Sequence, residues 1–254
     1  VAWLYYSDRL LEFPLGVFGI ALATVVLPNL SEAHYKQGSD HFAKTLRWAV
    51  QLSLLIALPA MLGLFLLAQP ILATLFEYGA FAPNDSLMAA YSLMAYSLGL
   101  PAFILIKILA NGFYARQDTR TPVRIGIQSM ALNMLLNVVF VVAMLDAEFV
   151  APHVGLALAT TASAYFNAFR LAMKLRDDNV MSKDASFALP LLRILLASAA
   201  MGLLIVFLLP AFDVWSDWRW HERLLQLARI ILPAVFCYAF MLWIMGFRRQ
   251  HFVI

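Results

Sequence analysis

Seven long apolar runs dominate this sequence and leave few options for its fold. They lie at about 10–31, 46–68, 86–114, 122–145, 153–174, 187–209 and 226–247. About 20 apolar residues are enough for an α-helix to cross the hydrocarbon core of a bilayer. The runs are continuously apolar, whereas the strands of an outer-membrane barrel alternate in hydrophobicity. The pattern therefore predicts an all-α polytopic membrane protein with about seven transmembrane helices.

Composition agrees with this class. Hydrophobic residues make up 63% of the chain and charged residues 13%, which is more apolar surface than one water-soluble core can hide. A short amphipathic segment is expected around residues 69–78, between the second and third spans. The chain begins at Val1 and shows no signal-peptide pattern, so we expect it to start inside a longer protein.

The charges of the connecting segments alternate along the chain and predict its orientation. The first, third and fifth connections and the C-terminus are basic, with Lys36, Lys44, Arg47, Arg116, Arg120, Arg124, Lys174, Arg176, Lys183, Arg248 and Arg249. The second and fourth connections carry acidic residues without Lys or Arg, and the sixth is mixed. By the positive-inside rule the basic set and the C-terminus are cytoplasmic. Trp215, Trp218 and Trp220 then fit an aromatic belt at the outer interface, and packing of these rings against the protein is an alternative that predicts the same pattern.

The last two spans differ from the first five. The first five contain polar side chains, whereas the last two are almost entirely apolar, with the change in composition near residues 177–184. The sequence therefore predicts two parts, a five-helix part at residues 1–178 and a two-helix part at residues 179–254.

Three ionisable residues, Asp8, Arg9 and Glu12, lie at the mouth of the first span. Charged groups in or beside a span are costly and generally face a cavity or a partner. The three residues recur at spacings of three and four with Tyr5, Gly16, Gly19 and Ala23, which predicts one stripe of polar and small residues along a single helix face. Two interpretations remain open. The face lines a transport pathway, or Arg9 stays at headgroup level and pairs with Glu12.

Lys107 lies near the middle of the third span, with Asn111 one turn further along the same face. An ammonium group at that depth requires an anionic partner, which is either a carboxylate of another helix or a substrate. Of these two interpretations, a cavity-lining role for Lys107 and Asn111 is favoured over a structural ion pair.

Asn133 and Asn137 in the fourth span and Thr160 in the fifth are further polar candidates. Amides within lipid commonly form hydrogen bonds between helices, and this is the expected role here. A site for a coupling ion is the alternative, although a hard cation prefers at least one carboxylate and none lies beside the two asparagines.

Several kinds of chemistry find no support in the sequence. The five histidines are scattered, and Cys237 is the single cysteine, so neither a metal site nor a disulfide within the chain is expected. No phosphate-binding glycine loop, dinucleotide fingerprint or nucleophile elbow occurs. The basic residues follow the topology, so nucleic acid is not an expected partner. We expect a binding cavity without enzymatic activity and without a cofactor.

Two stretches resemble the MviN/MurJ family of bacterial lipid II flippases. The first runs from Trp3 to Ser31 and begins Trp-Leu-Tyr-Tyr-Ser-Asp-Arg-Leu-Leu-Glu-Phe-Pro, and the second, residues 112–123, reads Gly-Phe-Tyr-Ala-Arg-Gln-Asp-Thr-Arg-Thr-Pro-Val. The resemblance implies helices eight to fourteen, the C-terminal half, of a fourteen-helix protein with the multidrug/oligosaccharidyl-lipid/polysaccharide exporter fold. The missing N-terminal half is then its partner.

The resemblance also implies roles for particular residues. Arg9 corresponds to a cavity arginine with Asp8 and Glu12 beside it, and Lys107 corresponds to a basic position of the tenth helix. Asn111 departs from the family pattern, which has proline there. Residues 1–178 become part of a transport lobe, and the two helices of residues 179–254 form a groove for a lipid tail.

The function implied is transport of lipid II across the cytoplasmic (inner) membrane by alternating access, with a cationic cavity binding its pyrophosphate. Membrane lipids are further partners, and the identity of any coupling ion is left open. A related polysaccharide-lipid exporter, a small-molecule antiporter of the same fold and a non-transporting scaffold are the alternatives. An organic-cation antiporter predicts an acidic cavity. A scaffold predicts that Arg9 and Lys107 are each paired to internal carboxylates.

Overall fold

The structure, a computed structural model, describes residues 2–178 and 187–247. Over these residues the chain is helical, with no strand. The helices are α1 (Ala2–Pro14), α2 (Ala21–Glu32), α3 (Ser39–Leu66), α4 (Ala68–Phe76), α5 (Pro83–Ser97), α6 (Leu100–Tyr114), α7 (Arg120–Asp146), α8 (Val154–Asp177), α9 (Ala188–Leu208), α10 (Phe212–Asp217) and α11 (Trp220–Ile244). The basic residues Lys183, Arg248 and Arg249 lie outside the described residues.

The first span is longer than predicted. Helices α1 and α2 are joined by a π-helical segment, Leu15–Ile20, and a second one, Ala33–Gln37, follows α2. Pro14 has no amide hydrogen to donate to the carbonyl four residues earlier, and the wider π-helical turn begins directly after it. Arg9 therefore lies inside a continuous helical rod rather than just before its first turn.

The third span is two helices rather than one. Helices α5 and α6 are separated by a turn at Leu98 and Gly99. Pro101 cannot donate to the carbonyl of Ser97, so the α-helical hydrogen-bonding pattern is interrupted there. Asp85 caps the start of α5 by accepting a hydrogen bond from the Ala82 amide at 2.9 Å.

The number of spans in the structure is close to the seven predicted from the sequence. Among residues 2–178 and 187–247, six helical stretches are long and apolar enough to cross a membrane, and α5 and α6 count together as one of them. The predicted fifth span is present as α8, a continuous helix of 24 residues that is less apolar than the other spans. The short segment predicted at residues 69–78 is confirmed as α4.

Helix α3 lies at the centre of the packing and contacts α5, α6 and α9. Helix α6 is held between α2, α3 and α8, where Gly112 allows close approach. A methyl group at Gly112 would lie 3.4 Å from Leu46 and 3.5 Å from Leu175. Helix α7 packs mainly against α8, and much of its apolar surface is exposed. The buried position of α6 is what places Lys107 against the first span.

The last two long helices pack against each other and against the first part of the chain. Helix α9 lies on α3, and α10 and α11 lie on α4. Trp215 is completely buried at this junction and donates a hydrogen bond to Thr74 Oγ1 at 3.3 Å. Of the two interpretations of Trp215, packing against the protein is confirmed and the aromatic belt is wrong, because its ring fills a protein interior. Trp220, which is 60% exposed, is free to take that role.

Candidate functional site

The charged residues of α1 share an exposed face. Asp8, Arg9 and Glu12 are all exposed, whereas Ser7 and Leu11 are buried on the opposite side. The buried face is fixed to α5, since Ser7 Oγ donates to the carbonyl of Ala89 at 2.7 Å. The sequence prediction is confirmed for the three charged residues, which share one face, but it is wrong for Gly19, which is buried against α6 beyond the π-helical turn.

Arg9 is held by groups of its own helix. Its Nη1 lies 2.8 Å from Glu12 Oε2, and its guanidinium lies 5.1 Å from the centre of the Tyr5 ring. The side chains of Arg9 and Glu12 remain 58% and 52% exposed. The same face carries the exposed residues Phe13 and Val17 further along the rod. Within the part of the chain that the structure describes, no other helix covers it.

Lys107 and Asn111 both contact the first span. A methyl group at Gly19 would lie 3.5 Å from Lys107 Cδ, so the aliphatic part of the lysine rests on the π-helical segment. Asn111 is buried and its Nδ2 donates to the carbonyl of Ala23 at 3.0 Å. Asn111 therefore joins α6 to α2, which is a structural contact that the sequence did not predict.

The two candidate cations are not in contact. Gly19, against which Lys107 lies, is ten residues after Arg9 in the same rod, which corresponds to roughly 15 Å along the helix axis. Lys107 is half-buried and has no carboxylate within ion-pair distance among residues 2–178 and 187–247. The scaffold hypothesis predicts a carboxylate that pairs with Lys107. No such carboxylate is found among the residues that the structure describes.

Asn133, Asn137 and Thr160 form one chain of hydrogen bonds between α7 and α8. Asn137 Nδ2 donates to Asn133 Oδ1 at 3.2 Å, and Asn133 Nδ2 donates to Thr160 Oγ1 at 3.4 Å. Thr160 donates in turn to the carbonyl of Leu156 at 2.9 Å. Of these three hydrogen bonds, the one from Asn133 to Thr160 joins the two helices as expected, whereas the other two lie within α7 and within α8. Asn137 Oδ1 is buried and accepts no hydrogen bond from any described residue.

An apolar cavity of about 530 Å³ lies between α3, α4, α9 and α11. Its lining includes Pro59 and Gly63 of α3, Met201 of α9 and Tyr238 of α11. The Tyr238 hydroxyl donates to the carbonyl of Leu55 at 2.6 Å, so the most polar group of the lining is satisfied within the protein. The cavity is therefore suited to hydrocarbon rather than to a polar ligand.

A buried ion pair that was not predicted from the sequence joins α11 to the end of α4. Arg223 Nη2 lies 3.3 Å from Glu77 Oε1, and the two side chains are only 7% and 6% exposed. Ser86 Oγ donates to the other carboxylate oxygen at 2.8 Å. Arg223 also donates from Nη1 to the carbonyl of Ala73 at 2.8 Å. The sequence did contain a signal for this pair. Glu77 lies in the second connection and Arg223 in the sixth, and both connections are predicted to lie on the same side of the membrane.

The lipid II flippase MurJ family model matches residues 1–225 of this chain. The chain belongs to the MurJ family. It is 44% identical over 248 residues to the probable lipid II flippase MurJ of Vibrio cholerae, covering 98% of this chain and 46% of that relative. It is 42% identical to the probable lipid II flippase MurJ of Haemophilus influenzae, covering 99% of this chain and 49% of the relative. The chain thus spans about half the length of these curated MurJ relatives.

A solved structure gives the same result. "Lipid II flippase MurJ, inward closed conformation" superposes with a TM-score of 0.75 at 26% sequence identity, over 95% of this chain and 46% of that one. The match identifies the fold as that of a MurJ transporter of the multidrug/oligosaccharidyl-lipid/polysaccharide exporter superfamily. Together with the six apolar spans it makes the chain a multi-pass membrane protein. The related proteins are named as flippases, which are transporters rather than enzymes.

Proposed function

We propose that this chain is the C-terminal half of a transporter that moves lipid II, a lipid-linked peptidoglycan precursor, across the bacterial inner membrane. The observation that carries the proposal is Lys107. It lies deep in a span, half-buried, with no carboxylate partner among the described residues. A cation in such a place needs water or an anion beside it. The membership of the MurJ family supports a lipid-linked pyrophosphate as that anion.

Arg9 is the second cation of the proposed site, with Asp8 and Glu12 beside it. A guanidinium presents a planar set of donors that suits phosphate oxygens, whereas an ammonium acts as a point charge. Glu12 holds the guanidinium through Nη1 and so fixes its orientation on the open face of α1. Because Arg9 and Lys107 lie roughly 15 Å apart along the helix axis, the pyrophosphate is proposed to contact them one after the other as it moves through the membrane, rather than both at once.

The lipid tail is proposed to lie in the cavity between α3, α9 and α11. The volume of about 530 Å³ and the apolar lining of this cavity suit part of a polyprenyl chain. Because α9 and α11 form part of the lining, tail binding is the function proposed for the two additional C-terminal helices. Alternating access, by rocking of this half against the other, completes the proposed mechanism. The charge pattern of the connections supports a cytoplasmic C-terminus.

The deep cation is tested by replacing Lys107 in the full-length protein. Lys107→Met keeps an unbranched side chain to pack on Gly19 and removes the charge, while Lys107→Arg retains a charge. We expect the methionine variant to lose lipid II binding in nanodiscs and the arginine variant to retain part of it. Unchanged lipid II binding by Lys107→Met would remove the residue from the site.

Arg9 is tested by growth after depletion of the native flippase. Arg9→Ala is expected to fail to support growth at normal membrane abundance. Lys36→Ala is the matched control, since Lys36 lies on the same rod in a similar exposed ion pair, 3.1 Å from Glu32. Normal growth of the Arg9→Ala strain would show that Arg9 is an interfacial residue rather than part of the site.

A further inference from the structure

A second basic feature lies far along the chain from the proposed lipid II site, between the start of α7 and the end of α8. It is a pocket of about 270 Å³, and Gln128 and Met173 contribute to its walls. Three cationic side chains line it, Arg124 from α7 and Arg170 and Lys174 from α8. Because the two helices are antiparallel neighbours, the start of one and the end of the other meet at the same side of the membrane.

The pocket has a net positive charge. One carboxylate, Asp177, is part of the lining and opposes the three cations. Lys174 is paired with Asp178 at 3.0 Å. Arg124 and Arg170 have no ion-pair partner in the described parts of the chain, and the guanidinium of Arg170 lies 6.0 Å from the Phe166 ring. Two guanidinium groups from different helices are therefore available to one ligand.

Exposed apolar residues continue from the pocket towards the middle of the membrane. Phe169 precedes the lining residue Met173 by one helical turn and is 62% exposed. Leu135 follows the lining residue Gln128 by two turns on the same face of α7 and is 61% exposed. A ligand with a charged end in the pocket therefore has hydrocarbon-compatible surface directly beneath that end.

We propose that this pocket binds the phosphate of an anionic phospholipid headgroup, with the acyl chains lying along α7 and α8. Arg124 and Arg170 donate to the phosphate oxygens, a geometry for which guanidinium groups are well suited. Basic pockets between transmembrane helices are a known way of recognising anionic headgroups. The proposal does not depend on transport of lipid II, and its readout is lipid retention.

The test uses the full-length protein and titration with phosphatidylglycerol, followed by native mass spectrometry. The pocket variant is Arg124→Gln with Arg170→Gln. The control variant is Arg120→Gln with Arg176→Gln, which removes the same charge from the same two helices at exposed positions outside the pocket. Because all four side chains are exposed, both variants are expected to fold, and unchanged melting temperatures verify this.

The expected result is a loss of phosphatidylglycerol affinity of roughly thirtyfold in the pocket variant and of less than about threefold in the control. Phosphatidylcholine, which has no net charge, is expected to bind weakly to all forms. Equal weakening in both variants would mean a general surface-charge effect and would overturn the proposal. Displacement of the lipid by millimolar inorganic phosphate would also overturn it, since the site would then recognise a soluble anion.

Discussion

Replacing Arg223 by methionine tests whether the buried ion pair joins the last helix to the rest of the chain. The guanidinium contacts Glu77 and also donates to the carbonyls of Ala73, at 2.8 Å, and Trp218, at 3.0 Å. Methionine fills much of the same volume but provides no donor. The carboxylate of Glu77 would then keep the Ser86 hydroxyl as its remaining hydrogen-bond donor among the contacts described.

The size of the effect follows from burial. Removing one partner of a buried ion pair costs about 3–5 kcal/mol, because the other charge is left without compensation, whereas an exposed pair contributes about 0–1 kcal/mol. Arg223 and Glu77 are 7% and 6% exposed, which places them in the first class. We therefore expect Arg223→Met to destabilise the protein by about 3–5 kcal/mol.

The assay is thermal unfolding of the full-length protein in detergent, at one scan rate because membrane proteins commonly unfold irreversibly. We expect the melting temperature of Arg223→Met to fall by roughly 5 °C or more. Arg229→Met is the matched control, since Arg229 is an exposed arginine of the same helix. Its melting temperature should change by less than about 2 °C, because exposed substitutions seldom matter.

A double substitution separates the pair from its surroundings. Glu77→Gln removes the negative charge, so adding it to Arg223→Met is expected to restore part of the lost stability, with a coupling of about 1–3 kcal/mol. If the melting temperature of Arg223→Met changes as little as that of Arg229→Met, the ion pair is solvated by water rather than buried. The estimate of its stability from its low exposure is then refuted. Additive effects of the two substitutions would show that they act on separate contacts.

Three further outcomes are expected. Gly99→Ala should destabilise the junction of α5, α6 and α8, because a methyl group there would lie 2.8 Å from Thr161 Oγ1, whereas Gly16→Ala, with no atom within 4 Å, should be neutral in the same thermal assay. Tyr238→Phe should lower stability by about 1 kcal/mol in that assay through loss of one hydrogen bond. Asn137→Ala should cost about 0.6 kcal/mol and leave transport unchanged, unless its Oδ1 binds a coupling ion, in which case the ion dependence of transport should change.

The helices were predictable because hydrocarbon imposes a minimum length on an apolar span, and that length is visible in the sequence. The ends of the helices and the breaks within them were less predictable. The first rod already includes residues 2–9, which lie before the predicted start of the span, because polar residues such as Asp8 interrupt an apolar run but do not interrupt a helix. The break at Gly99 was signalled by Pro101, but a kink and a full turn have the same sequence signature.

Contacts between distant residues were not predictable in the same way. Glu77 and Arg223 lie between the predicted spans, where a charge is usually solvated, and the packing of α11 on α4 buries them together. The hydrogen bond from Asn133 to Thr160 of the neighbouring helix was expected because an amide in lipid has few other options, whereas Asn137 bonds within its own helix. Asn111 was expected in a cavity, yet its Nδ2 is bound to the Ala23 carbonyl, since α6 passes directly against α2.

Helix length ranks the two candidate cations by depth. From Lys36, a basic residue expected at one membrane surface, the rod rises roughly 25 Å to Gly19 and roughly 40 Å to Arg9. The hydrocarbon core is about 30 Å thick, so Lys107, beside Gly19, lies within it, whereas Arg9 reaches the opposite boundary unless the rod is strongly tilted. At the membrane boundary, water and lipid headgroups can solvate the Arg9 guanidinium, so it needs no bound cargo there. On the same lengths Lys107 lies inside the hydrocarbon core, about 5 Å from its far boundary, so of the two cations it is the one placed within the membrane, and its substitution is the more decisive test of a cationic cavity.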